Sequence, residues 1–287
     1  MKINSLIQKI GNRAAALAGR KPKASGPPVL LDPMRFPYGP FRFKASLAKG
    51  IEYRVLASTD LRTWNALMHG TASEATIEVI DSEAFKFTYR FYHMTAADRL
   101  SENVIGYASV SLPPGFSMIA NPFHTNRTVS QTFERWPDGT TLNRFDTRLF
   151  RLSENAIKGG KWSNPTERLL PGEGAIFFNP TSDYKSASFV GEVLQGQLSQ
   201  PVPSGFSIRS SLVPQAGNLQ DDLHFPITNG DVIHLFDRDG QKYVLHPYAD
   251  GKWTAGPPII GVGESFWVAK TKPGNWIRSF RLEKPMP

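Results

Sequence analysis

Apolar and polar residues alternate along most of this chain. Phe41-Arg42-Phe43-Lys44 sets the period, and after Gly50 the residues Ile51, Tyr53 and Val55 share one face. Thr76–Ile80 and Phe85–Tyr92 repeat the pattern. A period of two puts every second side chain on the same face, so these runs predict half-buried strands. The 24 glycines and 23 prolines punctuate them into short elements, as sandwiches and barrels require. Helical spacing occurs only near the start, where Ile3, Leu6, Ile7, Ile10, Ala14 and Leu17 recur every three or four residues. Lys2, Lys9 and Arg13 lie largely off that stripe, which predicts a short basic amphipathic helix. The expected fold is therefore all-β: several small antiparallel sandwich or barrel units, with a short N-terminal amphipathic helix.

The pattern also repeats at long range. Asp138–Asn179 aligns without a gap on Asn229–Lys270, at an offset of 91. Phe145-Asp146 meets Phe236-Asp237, Gly160-Lys161-Trp162 meets Gly251-Lys252-Trp253, and Gly172-Glu173 meets Gly263-Glu264. Upstream, Gly115-Phe116-Ser117 answers Gly205-Phe206-Ser207 at an offset of 90. The identities fall on turn glycines, aromatics and acids, as a duplicated β unit would place them. Two copies are too few for a solenoid or propeller, leaving paired sandwiches or one pseudo-symmetric barrel. The expected organisation is a basic helix with a Pro-rich arm over 1–40, a small β module over 41–98, and the two copies over 104–196 and 197–287.

Charge changes this picture in one place. The formal net charge is +8, yet Lys2, Lys9, Arg13, Arg20, Lys21 and Lys23 precede the first carboxylate, Asp32, so the body is nearly neutral. A nucleic-acid-binding domain would carry its basic patch on the folded body, so nucleic acid is not the expected partner. The segment 1–23 reads instead as a docking arm, with Ile3, Leu6, Ile7 and Ile10 on its apolar side and Lys2, Lys9 and Arg13 as its cations. An anionic membrane surface or an acidic protein groove would suit it equally. No secretory signal is recognisable, because Gln8, Lys9 and Asn12 interrupt the apolar stretch.

Candidate chemistry is sparse. The absence of cysteine removes disulfides, thiolate metal sites and cysteine nucleophiles. His234 and His246 fall on neighbouring expected strands without a third ligand at suitable spacing, so no metal site is expected. Asp237-Arg238-Asp239-Gly240 reads as a hairpin turn, since a calcium loop would need further acids. Gly261-Val262-Gly263-Glu264-Ser265 feeds a strand and not a helix, which removes a phosphate loop. Glu173 and Glu264 are repeat-equivalent carboxylates and the one candidate acid pair. Trp162 and Trp253, each beside a lysine (Lys161, Lys252), are the candidate binding residues: a Gly-Lys-Trp turn would offer a ring for stacking and a cationic donor. The area an aromatic ring buries favours the other reading, in which each tryptophan caps its own core.

The stretch from Tyr53 through Ala57–Trp64 to Arg90-Phe91-Tyr92 is similar to a small β module appended to large exported proteins of Verrucomicrobia-like bacteria. The repeated part, with Gly115–Phe123 (GFSMIANPF), Trp162 and Pro171-Gly172-Glu173-Gly174, resembles β units of bacterial surface and secreted proteins. The resemblance implies a cell-surface or extracellular setting, against which the missing signal leaves a cytoplasmic one open. It carries no catalytic signature. The expectation is a non-enzymatic binding or structural protein without cofactor, associated with a polysaccharide or protein at the cell surface. The alternatives are a subunit of a larger assembly docked through its arm, and a carbohydrate-active enzyme using Glu173 and Glu264.

Overall fold

The computed structural model describes residues 26–35 and 39–283. The amphipathic helix and docking arm expected over 1–23 lie outside them. Nearly all regular structure is antiparallel strand, as the alternation predicts, and no sheet closes into a barrel among the described residues. The described residues form two compact units: those within 26–107 with 190–193 and 282–283, and 108–189 with 194–281.

The first unit holds β1 (Val29–Arg35), β2 (Phe41–Ser46), β3 (Glu52–Ser58), β4 (Asn65–Thr71), β5 (Thr76–Asp81), β6 (Tyr89–Ala96) and β7 (Arg99–Leu100), with the start of β8 (Ile105–Leu112). One sheet runs β1-β2-β5, and β4-β3-β6 lie side by side in another. The core between them is aromatic: Phe41 stacks on Tyr92 at 4.7 Å, and Tyr107 lies 5.2 Å from Phe41. The buried Asp81 carboxylate accepts from Tyr92 Oη at 2.7 Å and from Arg90 Nη1 at 2.8 Å, and Tyr107 Oη donates to Ala84 O at 2.6 Å, so both phenols have a partner. Between β3 and β4 the Ser58 hydroxyl accepts from the amides of Asp60 and Leu61, and Asp60 accepts from Arg62 and Thr63. This is the turn that Ser-Thr-Asp predicts.

Part of the stretch expected as a Pro-rich arm over 1–40 is regular structure. Residues 29–35 are a strand of the body, paired with β2 from Val29↔Ser46 to Arg35↔Phe41. Pro33 is tolerated because the register shifts between Leu31 and Met34, where no ladder bond is needed.

The second unit contains both copies. The first comprises the end of β8, β9 (Gly115–Ile119), β10 (Thr141–Asp146), β11 (Arg151–Lys158), β12 (Lys161–Trp162), β13 (Ala175–Asn179) and most of β14 (Lys185–Glu192). The second comprises β15 (Gly196–Val202), β16 (Gly205–Arg209), β17 (Gly217–Asn218), β18 (Val232–Asp237), β19 (Lys242–Ala249), β20 (Lys252–Trp253), β21 (Ile259–Ile260), β22 (Phe266–Lys270) and β23 (Gly274–Phe280). The five-stranded sheets β12-β11-β10-β13-β9 and β20-β19-β18-β22-β16 have the same strand order. Their registers agree residue for residue: Leu142↔Phe177 becomes Ile233↔Val268, and Ile157↔Trp162 becomes Tyr248↔Trp253. The duplication read from the sequence is a duplication of the fold.

The copies are joined by a local two-fold relation. Ile119 bridges Glu264 and Arg209 bridges Glu173, which are one contact written twice at the repeat offsets. Ala120 donates its amide to Gly263 and Ser210 to Gly172, at 2.8 and 3.1 Å. The axis passes between Gly174 and its equivalent, Ser265. A Cβ on Gly174 would lie 2.4 Å from Ser265 Cβ, so glycine is needed there for space. Such reciprocal pairing is what an isologous dimer interface shows, here within one chain. The two copies expected over 104–196 and 197–287 both fall in this second compact unit, 108–189 and 194–281.

Candidate binding face

The residues singled out from sequence occupy ordinary structural places. Trp162 is 7 % exposed, with its ring 6.1 Å from Phe133, so it caps the core of the first copy. Trp253 is half-buried against Tyr248 at 5.1 Å and donates Nε1 to Gln220 Oε1 at 2.8 Å. Lys161 and Lys252 are exposed beside them. Each Lys-Trp pair sits on the edge strand of its own sheet, and burial leaves Trp162 no broad face for a ring to stack on.

Glu173 and Glu264 close their turns. Glu173 Oε2 accepts from Leu170 N at 3.0 Å and Glu264 Oε2 from Gly261 N at 2.8 Å. The second oxygen of each meets an arginine: Arg144 at 2.8 Å from Glu173, Arg238 at 2.6 Å from Glu264. With both oxygens engaged, these carboxylates serve the turn in which Gly172 (φ 88°) and Gly263 (φ 83°) take the left-handed conformation. Asp146 and Asp237 likewise each accept two amides of their hairpin loops. His246 pairs with Ile233, whose side chain lies in the core, while His234 pairs with Leu245, so the two histidines point to opposite faces. No cluster of three metal-ligating side chains occurs among the described residues.

What stands out is a face that was not singled out. Ile233, Phe266 and Val268 point into the core of the second copy, so Phe206, His234, Phe236, Tyr243, Leu245 and Trp267 line the opposite side of the same sheet. Phe206 lies 5.8 Å from His234 and 6.3 Å from Trp267, and Tyr243 lies 5.0 Å from Phe236. Trp267 Nε1 donates to Tyr243 Oη at 3.1 Å, and the first copy adds Phe145, edge-on to Trp267 at 4.8 Å. Phe206, Tyr243 and Leu245 are 42, 39 and 50 % exposed, so a run of rings and aliphatic groups faces solvent. Burial pulls the His234 imidazole below its ordinary pKa and pushes the Tyr243 phenol up. The sequence carried a signal for this face: Val232-Ile233-His234-Leu235-Phe236 does not alternate, as a strand with one wet side should.

No family model and no curated protein matches the chain. Among solved structures it is similar to the chicken CNTN1 FN1–FN3 domains, at 11 % identity over 89 % of this chain and 99 % of that one, with a TM-score of 0.22. That TM-score carries no argument about topology, ligand or partner, so the functional reading rests on the residues themselves.

Proposed function

We propose that the chain is a non-enzymatic binding module that engages a protein partner through the outer face of the second-copy sheet. The observation that supports this is the exposed cluster around Trp267, Tyr243 and Phe206. Interface centres are enriched in aromatic residues and depleted in charge, and this face has that composition. A sugar-binding face needs hydroxyl-directed polar groups around its rings, and here the indole N–H and the phenol are bonded to each other. A glycan or cell-surface polysaccharide is the second reading, favoured by the half-exposed ring of Tyr243.

The test compares the full chain with a Tyr243→Ala/Trp267→Ala variant, in quantitative affinity capture of proteins and on a glycan panel. Loss of two aromatic anchors is expected to weaken a true partner by at least about tenfold, the usual result at an interface hot spot. A protein retained equally by both chains overturns this reading. Glycan retention lost on substitution, with no selective protein, moves the assignment to the second one.

A further inference from the structure

In an antiparallel pair, residues alternate between exchanging both backbone bonds with the residue opposite and turning both groups away from it. Phe116 on the edge strand β9 turns both away, and a side chain meets them. Gln241 accepts from Phe116 N at Oε1, 2.7 Å, and donates Nε2 to Phe116 O at 3.0 Å. Phe206 holds the same place on β16, since Phe116↔Phe178 and Phe206↔Ala269 are equivalent pairs. Its N–H and C=O therefore also face away from the sheet.

The equivalent of Gln241 is Phe150, with nearly the same backbone (φ 47° and 50°). A phenyl ring cannot bond an amide edge, and it lies instead 5.3 Å from Phe145. The difference shows in the space left behind: a Cβ on Gly115 would meet Gln241 Oε1 at 2.5 Å, whereas one on Gly205 would meet nothing within 4 Å. The first unit repeats the filled arrangement, with Asn103 accepting from Leu30 N and donating to Leu30 O, both at 2.9 Å. Two outward-facing residues are thus clasped by a carboxamide, and the edge at Phe206 is left open.

We propose that the edge of β16 at Gly205–Phe206 is the docking point for an extended peptide segment of the protein partner. The proposal rests on the partner-binding reading above and names the contact that makes it specific. One residue of an extended peptide presents a C=O and an N–H together, the same complementary edge that Gln241 presents to Phe116. Phe206, His234 and Trp267 lie beside that point and seat the peptide's apolar side chain. The contact is confined to one residue, because the next outward-facing position, Ile208, is buried and its carbonyl accepts from Arg209 Nη1 at 3.0 Å.

The experiment selects displayed random heptapeptides on the full chain, then titrates the enriched peptides, made synthetically, against wild type, Phe150→Gln and Trp267→Ala. Phe150 is 64 % exposed, and glutamine already occupies the equivalent backbone conformation at 241. In Phe150→Gln the new carboxamide clasps Phe206 in cis and is expected to weaken the peptides by at least about tenfold. N-methylation of one peptide amide at a time provides a second measurement that needs no variant, and one position is expected to lose binding to wild type. Equal affinity for wild type and Phe150→Gln, with no sensitive amide, overturns the edge contact. If those peptides still need Trp267, the partner-binding face stands without it. Failure to enrich any peptide that binds wild type overturns both.

Discussion

The two copies solve one buried position by different chemistry. In the first, Thr140 and Asn179 stand where β10 and β13 meet the turn. Asn179 donates to Leu112 O and Asp183 O at 3.0 and 2.9 Å and accepts from Thr181, all neutral bonds. In the second, the equivalents are Asp231 and Lys270, with side chains 0 and 1 % exposed. Lys270 bonds Asp231 and donates to Pro226 O, while Asp231 also accepts from the amides of Thr228 and Thr271, both at 2.7 Å. The same backbone thus accepts either solution, provided every polar atom of a charged pair is met. The difference teaches that fold geometry fixes where polar groups are buried and leaves open whether they carry charge.

Removing one charge tests this most severely. Lys270→Met strands the Asp231 carboxylate and is expected to cost about 3–5 kcal/mol in urea unfolding. Asn179→Leu, its neutral counterpart, should cost only ~1–3 kcal/mol. Transplanting the first copy's solution, as Asp231→Thr/Lys270→Asn, should recover most of the first loss. A double variant as unstable as Lys270→Met would show that the copies are not interchangeable there.

A smaller effect is expected at the axis between the copies. Gly174→Ala drives a methyl group into Ser265 and Ile208 and should cost about 1–3 kcal/mol, as overpacking does. Ser265→Gly in the same chain removes one of the two clashing groups and should restore part of that. If thermal unfolding shows no such rescue, the two residues do not share an axis.

The remaining effect is a pH slope. Burial opposes the Asp231 charge, but Lys270 and the Thr271 and Thr228 amides outweigh it and hold the carboxyl below its ordinary value. The unfolded chain therefore takes up this proton first as acid is added. The contribution to stability is complete above the ordinary carboxylate range, about pH 4, and is lost below it. The Asp231→Thr/Lys270→Asn variant should show a shallower decline than wild type in that window. His93 in the first unit acts higher: burial lowers its imidazole to about 4, so stability falls as pH drops from about 6.5, where the unfolded imidazole titrates. His93→Gln should make that upper part shallower, with the lowered imidazoles of His124 and His234 still contributing to it.

Period-two alternation, turn glycines and the offset of 91 made the strands and the duplication readable, because each is a local property of the chain. The turns at Asp60 and Asp237 were readable for the same reason. For Trp162 the sequence held two readings, a stacking ring on a turn and a core cap, and the pairing with buried Ile157 that turns it inward gives the core cap. The strand at 29–35 was masked by Pro33 and by a partner, β2, that holds it in place. The aromatic face was legible in principle, as apolar residues on both sides of β18, but only with the core side known. The pairing of Ile119 with Glu264 links residues far apart in sequence, and no local pattern encodes it.

The close approach of Gly174 to Ser265 has a consequence for how such a protein can vary. In a dimer of identical subunits, a residue on the symmetry axis meets itself, and any change there is made twice. Two serines would collide and two glycines would leave a hole. Joining the copies in one polypeptide releases that position from self-pairing, so one side can grow while the other shrinks. Gene fusion thereby turns the most constrained residue of a symmetric interface into one that can diverge.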